Sequence, residues 1–485
     1  MEFASVPSTI SYNEVLQRND FCISPSKYSQ VNTTNSNFVK FETLSNLVKL
    51  RKPKKQVFND KTVIYIEIGD ININTGSIEY KKIPLYKLPK SNIKVFNGDI
   101  LISKVRTYRG GIGIVNNNDT KSIFSTSALI VIKDVMNIDK SYLYAILRSK
   151  YFIEQIKTFE NRGMYPRLDN DTINNVKIPI PHDITIIDKI SILTQSLIKK
   201  EVELREKFDQ IKILIENELK ENQLSNKFNY QMLSYNDLVE FNRFDTGLYT
   251  QKIKKVEFLI QNYKYGSQTI VEQGFYSVRG QNLQVSQIGK SIYTNNLKQG
   301  FYQLFLPTHI SLYGTINKVL FIGNAKTLLQ VQNDDIIFGA EGFGKGRSFI
   351  PLNENGRFIT NIHGTMLRHD NEMIYKKIFI KCMIDWFREK NLIDAYSVGG
   401  NGGSFSTKYW KVLKFPLFPK DKQKDIAKLY YNPSDDYVAH IVNFDIKNYI
   451  NIDKKVTENS GILDLDKQIK IIRDAIDIEI KKIVE

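Results

Sequence analysis

Lys177-Ile178-Pro179-Ile180-Pro181 leads into a run in which Ile190, Leu197, Leu204 and Ile211 recur every seven residues, and this stretch decides how the chain is built. Leu193, Phe208 and Ile215 add apolar support, so the run is expected to form one helix from about Thr185 to Asn222. A sustained seven-residue period is the mark of helices packed along a seam. At ~1.5 Å rise per residue, a helix of ~35 residues is ~50 Å long, enough to act as a spacer. Near the other end, Ile462, Ile469, Ile476 and Ile483 repeat the same spacing.

The recurrence extends outward from that helix. Lys414-Phe415-Pro416-Leu417 echoes Lys177-Ile178-Pro179-Ile180 at an offset of 237 residues. Ser234-Tyr235-Asn236-Asp237 echoes Ser11-Tyr12-Asn13-Glu14 at 223, Asn333-Asp334-Asp335-Ile336 echoes Asn97-Gly98-Asp99-Ile100 at 236, and Gln468-Ile469-Lys470-Ile471 echoes Gln210-Ile211-Lys212-Ile213 at 258. Four echoes in the same order imply two homologous halves. The growing offsets place about 13 extra residues early in the second half and about 21 between Pro416 and Gln468, where loops tolerate insertion.

Within each half the pattern is β-rich before it is helical. Val63-Ile64-Tyr65-Ile66-Glu67-Ile68 is β-branched and aromatic, and a turn follows at Asn74-Thr75-Gly76. Asp99-Ile100-Leu101-Ile102, introduced by Asn97-Gly98, and Ser127-Ala128-Leu129-Ile130-Val131-Ile132 read as buried strands. An amphipathic helix is expected from about Ser141 to Phe159, with its counterpart from about Ile374 to Phe387.

Composition narrows the partners. The chain has 485 residues, 68 Lys+Arg against 52 Asp+Glu and a net charge of +16, a balance that attracts polyanions. With 42% hydrophobic residues there is ample core material, which excludes global disorder. Cys22 and Cys382 are too few for a disulfide framework or zinc cluster and suit a reducing cytoplasm. Neither a secretion signal nor an uninterrupted apolar stretch of about 18 residues is visible, so no membrane partner is expected.

A β-rich region followed by a long helix, repeated once, resembles the specificity subunit of type I restriction-modification systems. The residues carrying the resemblance are Tyr65-Ile66-Glu67-Ile68-Gly69-Asp70-Ile71-Asn72, Gly98-Asp99-Ile100-Leu101-Ile102-Ser103-Lys104-Val105-Arg106, Gly110-Gly111-Ile112-Gly113, Arg162-Gly163-Met164-Tyr165-Pro166-Arg167-Leu168 and Lys177-Ile178-Pro179-Ile180-Pro181. The resemblance implies an α+β fold with two repeated β-rich target recognition domains, separated by two long helices packed as an antiparallel coiled coil. On that basis residues 1–182 form the first recognition domain, 183–223 the first long helix, 224–419 the second domain, and 420–485 an insertion with the second long helix. It further implies a noncatalytic protein of phage defence that reads a bipartite site on double-stranded DNA. The resemblance also implies docking of methyltransferase subunits, with or without a restriction (translocase-nuclease) subunit to complete the complex. The second half departs where Arg279-Gly280-Gln281-Asn282 stands in place of Ile68-Gly69-Asp70-Ile71, and the insertion between Lys420 and Gly461 suits a partner-binding elaboration.

Affinity for duplex DNA comes from cations on phosphates, and sequence is read by polar groups at base edges. Lys49, Arg51, Lys52, Lys54 and Lys55 cluster around Pro53, which places them on a loop. Lys104, Arg106, Tyr108 and Arg109 follow a strand and run into glycines, a composition suited to close approach of backbone to phosphate. Arg162, Tyr165 and Arg167 form a third group. In the second half Lys345 and Arg347 occupy the equivalent turn, and Arg279, Gln281 and Asn282 offer groups suited to guanine and adenine edges.

Other motifs lead elsewhere and are weaker. Gly339-Ala340-Glu341-Gly342-Phe343-Gly344-Lys345-Gly346 approaches a P-loop but has Gly346 where a hydroxyl should hold magnesium. Asp70, Glu79 and Lys81 imitate a nuclease set, and Asn432-Pro433-Ser434-Asp435 imitates a methyltransferase tetrapeptide without its aromatic ring. His363 and His369 are the one close histidine pair, with no further ligand nearby. No catalytic residue, metal or cofactor is therefore expected. Two alternatives remain at this point, a self-contained type II-like restriction/modification enzyme and a nonenzymatic regulatory protein on the same fold.

Overall fold

In the computed structural model the description covers residues 4–16, 23, 28, 30–31, 39–53, 60–159, 168, 176–231, 235, 238–239, 243, 247–352, 356–398, 403–433, 437, 441 and 444–484. The chain divides into two units. The first comprises Met1–Glu203, Asp436–Glu458 and Lys467–Glu485, and the second Leu204–Asp435 and Asn459–Asp466.

In the first unit, beside the short antiparallel pair Ala4–Ser5 and Gln30–Val31, β-branched runs bounded by glycine and asparagine turns form ten further strands among the described residues. They are β1 (Val39–Thr43), β2 (Val48–Leu50), β3 (Thr62–Ile66), β4 (Lys81–Pro84), β5 (Asn92–Val95), β6 (Ile100–Ser103), β7 (Ile112–Ile114), β8 (Ile123–Thr126), β9 (Leu129–Val135) and β10 (Lys177–Pro181). One sheet has the order β4-β3-β8-β5, a second β2-β9-β6-β7, and β1 pairs with β10. All pairs are antiparallel except β3 with β8. Ile64, Ile66, Ile93 and Val95 from one sheet pack with Leu101, Leu129 and Val131 from the other, forming the core of the module.

The second unit repeats this plan. Its strands are β11 (Ser267–Thr269), β12 (Tyr276–Arg279), β13 (Ser291–Thr294), β14 (Tyr302–Leu304), β15 (Leu320–Asn324), β16 (Ile336–Gly339), β17 (Ser348–Phe349), β18 (Phe358–Ile359), β19 (Gly364–Arg368) and β20 (Lys414–Pro416). The sheet β12-β19-β16-β17 matches β2-β9-β6-β7 strand for strand, and β11 pairs antiparallel with β20 as β1 does with β10. In the other sheet, β15-β14-β18 matches β4-β3-β8, including the parallel pair β14/β18. A single antiparallel bridge from Val331 to Phe358 stands where β5 lies in the first unit. The extra residues expected early in this half include β13, which adds to the free edge of β15.

This topology corrects one alignment. The 3-10 turn Ile68–Asp70, followed by the bridge Ile71↔Ile78, has its counterpart in Pro307–His309 followed by Ile310↔Ile316. Arg279-Gly280-Gln281-Asn282 instead ends β12, the counterpart of β2. The shared glycine misled the comparison: Gly280 is needed because a Cβ there would meet the carbonyl oxygen of Asn361 at 2.1 Å.

The long helix spans Ile184–Glu221, and all four of its seven-spaced residues are buried. In the first unit its residues run antiparallel to the carboxy-terminal helix Ile462–Val484, as the ion pairs Lys189–Glu479 at 2.9 Å and Glu201–Arg473 at 2.6 Å require. In the second unit Phe208 meets the Tyr313 ring edge-on and Glu216 pairs with Lys390 at 2.6 Å. The helix expected over 141–159 is two, Lys140–Arg148 and Lys150–Phe159. Ser149 breaks it, turning its hydroxyl to the carbonyl of Ile146 at 2.6 Å and accepting from the Phe152 amide at 3.4 Å, a local bonding choice open to serine.

The insertion after Lys420 is packed into the units where it is described. Helix Lys420–Tyr430 belongs to the second unit, where the Tyr430 hydroxyl donates to the carbonyl of Gly314 at 2.7 Å. Residues 446–458 of helix Ile446–Asn459 belong to the first, where Asp453 takes an ion pair from the buried Lys200 at 2.9 Å. No helix among the described residues is long and apolar enough to cross a membrane.

Candidate nucleic-acid interface

Strand direction determines which predicted cations share an end of the sheet. In the first unit β2 and β6 are both antiparallel to β9 and hence parallel to each other. Their carboxy-terminal ends, leading to Arg51–Pro53 and to Lys104–Arg109, therefore leave the same end. The corresponding strands β12 and β16 are both antiparallel to β19, which brings Arg279–Asn282 and Glu341–Arg347 to one end of the second module.

At the first of these ends the chain makes a 3-10 turn over Thr107–Arg109. Thr107 donates its hydroxyl to the carbonyl of Ser103, and Gly110 takes φ +86°, where a Cβ would lie 2.9 Å from the carbonyl oxygen of Ile73. Arg106, entering the turn, is held at φ 50°, a left-handed conformation that disfavours a residue with a Cβ. Such strain is often kept where it positions a working side chain. Arg109 is exposed, its guanidinium 6.0 Å from the centroid of the half-buried Tyr108 ring. Lys104 turns back and donates to the carbonyl of Ser127 at 2.9 Å, and burial pulls its ammonium below the usual lysine range.

The other first-unit residues divide. Lys49 and Lys52 are exposed. Arg51 turns inward, with Nη2 3.0 Å from Oδ1 of the buried Asp99 and the guanidinium 4.5 Å over the Phe96 ring. Lys54, Lys55, Arg162, Tyr165 and Arg167 lie outside the described residues. Asp70, one member of the imitated nuclease set, is buried at its 3-10 turn, accepting the Glu67 amide at 2.7 Å and pairing with Lys81.

The second module carries the equivalent 3-10 turn at Gly342–Gly344. A strand, β17, follows it rather than the helix of a P-loop. Arg279 donates Nε to the carbonyl of Ile362 at 2.9 Å and approaches Glu341 at 3.3 Å, while His363 Nδ1 lies 2.8 Å from the same carboxylate. Lys345 pairs with Asp394 at 2.9 Å and Arg347 donates to the carbonyl of Ile310 at 2.8 Å, so both brace the turn. Gln281 accepts the Leu329 amide at 2.8 Å, and Asn282 accepts that of Gln284 at 3.0 Å. Beside the turn is a cavity of about 460 Å3, lined by Pro307, Glu341, Phe343, Asn361 and His363 among others.

Behind the turn of each module lies an arginine that the sequence did not disclose. Arg148 donates to the carbonyls of Gly110 at 2.7 Å, Ile112 at 3.2 Å and Asn74 at 2.8 Å, tying the 72–76 loop to the glycine turn. Burial pulls its guanidinium below the usual arginine range. Arg388 donates to the carbonyl of Leu312 at 2.9 Å and lies so close to Gly346 that a Cβ there would meet its Cγ at 3.0 Å. The two modules thus share a strand order, a glycine-bounded turn and an arginine behind it.

Comparison with known proteins gives these features a family. Residues 34–222 match the family described as type I restriction modification DNA specificity domain. That segment carries a type I restriction-modification DNA specificity domain. No curated protein matches. Among solved structures, a chain from work on complex assembly and conformational transition of the type I R-M system is 15% identical, covering 92% of this chain and 99% of that one, with a TM-score of 0.29. The HsdS subunit from Thermoanaerobacter tengcongensis is 14% identical over 92% and 97%, with a TM-score of 0.29. The S subunit from M. genitalium is 11% identical over 94% and 98%, with a TM-score of 0.40. A specificity protein recognises DNA sequence within a restriction-modification complex and leaves catalysis to other subunits.

Proposed function

We propose that each module of this specificity protein reads one part of a split duplex site, using the end of the sheet that carries its glycine-bounded 3-10 turn. The observation that carries this reading is the repeat: two units of the same strand order present the same turn at the same sheet end, in a basic chain whose first half matches a DNA specificity domain. Lys49, Lys52, Arg106, Tyr108 and Arg109 serve the first part of the site, and the sequence adds Lys54, Lys55, Arg162, Tyr165 and Arg167 to them. Arg279, Gln281 and Asn282 serve the second, on a turn that Lys345 and Arg347 brace. Lys104 and Arg51 support their turns from within.

The domain limits proposed are residues 1–182 and 224–419 for the two recognition domains, with 183–223 and the end of 420–485 as the long helices. Methyltransferase subunits dock on those helices, a restriction subunit completes the complex, and the protein works in the cytoplasm. The test is methylation sequencing of a host that expresses the chain with its cognate methyltransferase. Replacing Arg109 with alanine should weaken methylation at the mapped site and flatten the salt dependence of duplex binding by about one phosphate contact. An unchanged methylome and salt slope would remove the turn from the interface.

A further inference from the structure

Phe343 stands at the tip of the second module's turn with its side chain 95% exposed, the most exposed large apolar residue among those described. Its backbone is closely confined. Gly339 donates to the carbonyl of Arg347 at 2.9 Å, Gly346 to that of Gly339 at 2.8 Å, and Lys345 to that of Gly342 at 3.1 Å. A Cβ on Gly344 would meet the carbonyl carbon of Pro307 at 2.5 Å, and one on Gly339 would meet the Gly344 oxygen at 2.0 Å. A ring on so tightly closed a turn has little chance of folding back onto the protein, and its apolar surface stays in water until a partner covers it.

We propose that Phe343 is a stacking residue of the second module, its ring placed against a base of the DNA site. Three further observations favour a base over another partner. The equivalent position of the first module also carries an aromatic ring, Tyr108, at an offset of 235 residues. Arg279 approaches the carboxylate of Glu341 beside the turn and Lys345 pairs with Asp394, which reduces the repulsion of phosphate by both. The adjoining cavity, which Phe343 itself lines, offers the Asn361 and His363 side chains to a base edge. Apolar rings that meet DNA in this way partly unstack a base step, and truncating such a ring costs a sequence-tolerant share of affinity.

The inference rests on the proposed DNA-facing role of the turn, and one experiment separates the two. The full chain with its methyltransferase subunits is bound to a duplex carrying the mapped motif, with 2-aminopurine placed in turn at each position of the half-site read by the second module. The wild type should change the fluorescence at one position. Phe343→Ala should abolish that change and weaken binding about 5- to 100-fold without altering the salt slope. Phe343→Trp should restore both. If Phe343→Ala binds and fluoresces as the wild type does while Arg109→Ala weakens binding, the stacking role is refuted and the DNA-facing turn stands. If no duplex is bound selectively and neither variant differs from the wild type, the underlying reading fails as well.

Discussion

Lys200 is fully buried in the first unit, and its ammonium group is surrounded by partners rather than water. Nζ lies 2.9 Å from Asp453, 2.7 Å from the Thr457 hydroxyl and 2.8 Å from Gln468, and 4.6 Å from the centroid of the Tyr437 ring. Replacing Lys200 with methionine keeps the stem and removes the charge. Asp453 would keep the hydroxyls of Ser196 at 2.8 Å and Tyr437 at 2.7 Å, but its carboxylate would lose its counter-charge in a site 6% exposed. Breaking a buried pair costs about 3–5 kcal/mol, and the two retained hydrogen bonds put this case near 3 kcal/mol. Asp453→Asn should cost a similar amount by stranding the ammonium. The double variant Lys200→Met/Asp453→Leu should recover most of the loss, because a matched apolar pair of similar volume is often neutral. Native-state hydrogen exchange of the amides in 184–203 and 446–458 reads the effect locally, which matters because a two-unit chain need not unfold in one step. Single variants within about 0.5 kcal/mol of the wild type, or a double-mutant cycle without coupling, would refute the claim that this buried pair fixes the insertion to the long helix.

Arg106→Gly should leave stability within about 1 kcal/mol of the wild type, since relief of the left-handed penalty offsets the added chain entropy. Duplex binding should fall all the same; denaturation and binding measured together check this, and a loss of stability above about 2 kcal/mol would make Arg106 a structural tie. Arg148→Ala should cost about 2–3 kcal/mol by removing the charged donor from the partly buried carbonyls of Gly110 and Ile112, with partial recovery in Arg148→Lys. Methylation mapping should then show relaxed discrimination in the first half-site alone. His309 has a buried Nδ1 without a protein partner, and burial holds its pKa below the usual 6.5. The unfolded chain therefore takes up the proton first, so stability is present above about pH 6.5 and is lost as pH falls through that value toward the folded pKa. Denaturation midpoints at pH 7.5 and 5.5 should converge in His309→Asn, and an unchanged pH slope would count against the assignment.

The long helix was legible because Ile190, Leu197, Leu204 and Ile211 repeat with a period that no strand shares, and each is buried. The repeat was legible through echoes that fall on structurally matched turns: Gly98 at φ +85° and Asp334 at φ +70° open equivalent strands. The break at Ser149 was not, because the apolar periodicity runs straight through it and only a hydroxyl hydrogen bond ends the first helix. Charges near turns were visible, but not which of them the fold would use internally. Arg51 with Asp99 and Arg368 with Asp335 place the same buried carboxylate in both modules, while the arginine comes from different strands. Phe343 was hidden inside an apparent phosphate loop, although its alignment with Tyr108 offered the signal. Arg148 and Arg388 carried none, since a helix arginine announces nothing until the carbonyls it meets are placed.

The central claim is that one chain carries two DNA-reading modules. Replacing residues 247–416 with the corresponding module of a protein of different specificity, then sequencing host methylation in the presence of the cognate methyltransferase, tests it most directly. The account predicts a motif of two separated parts in which one part changes and the other is kept. A contiguous motif, or one in which both parts change together, would contradict it.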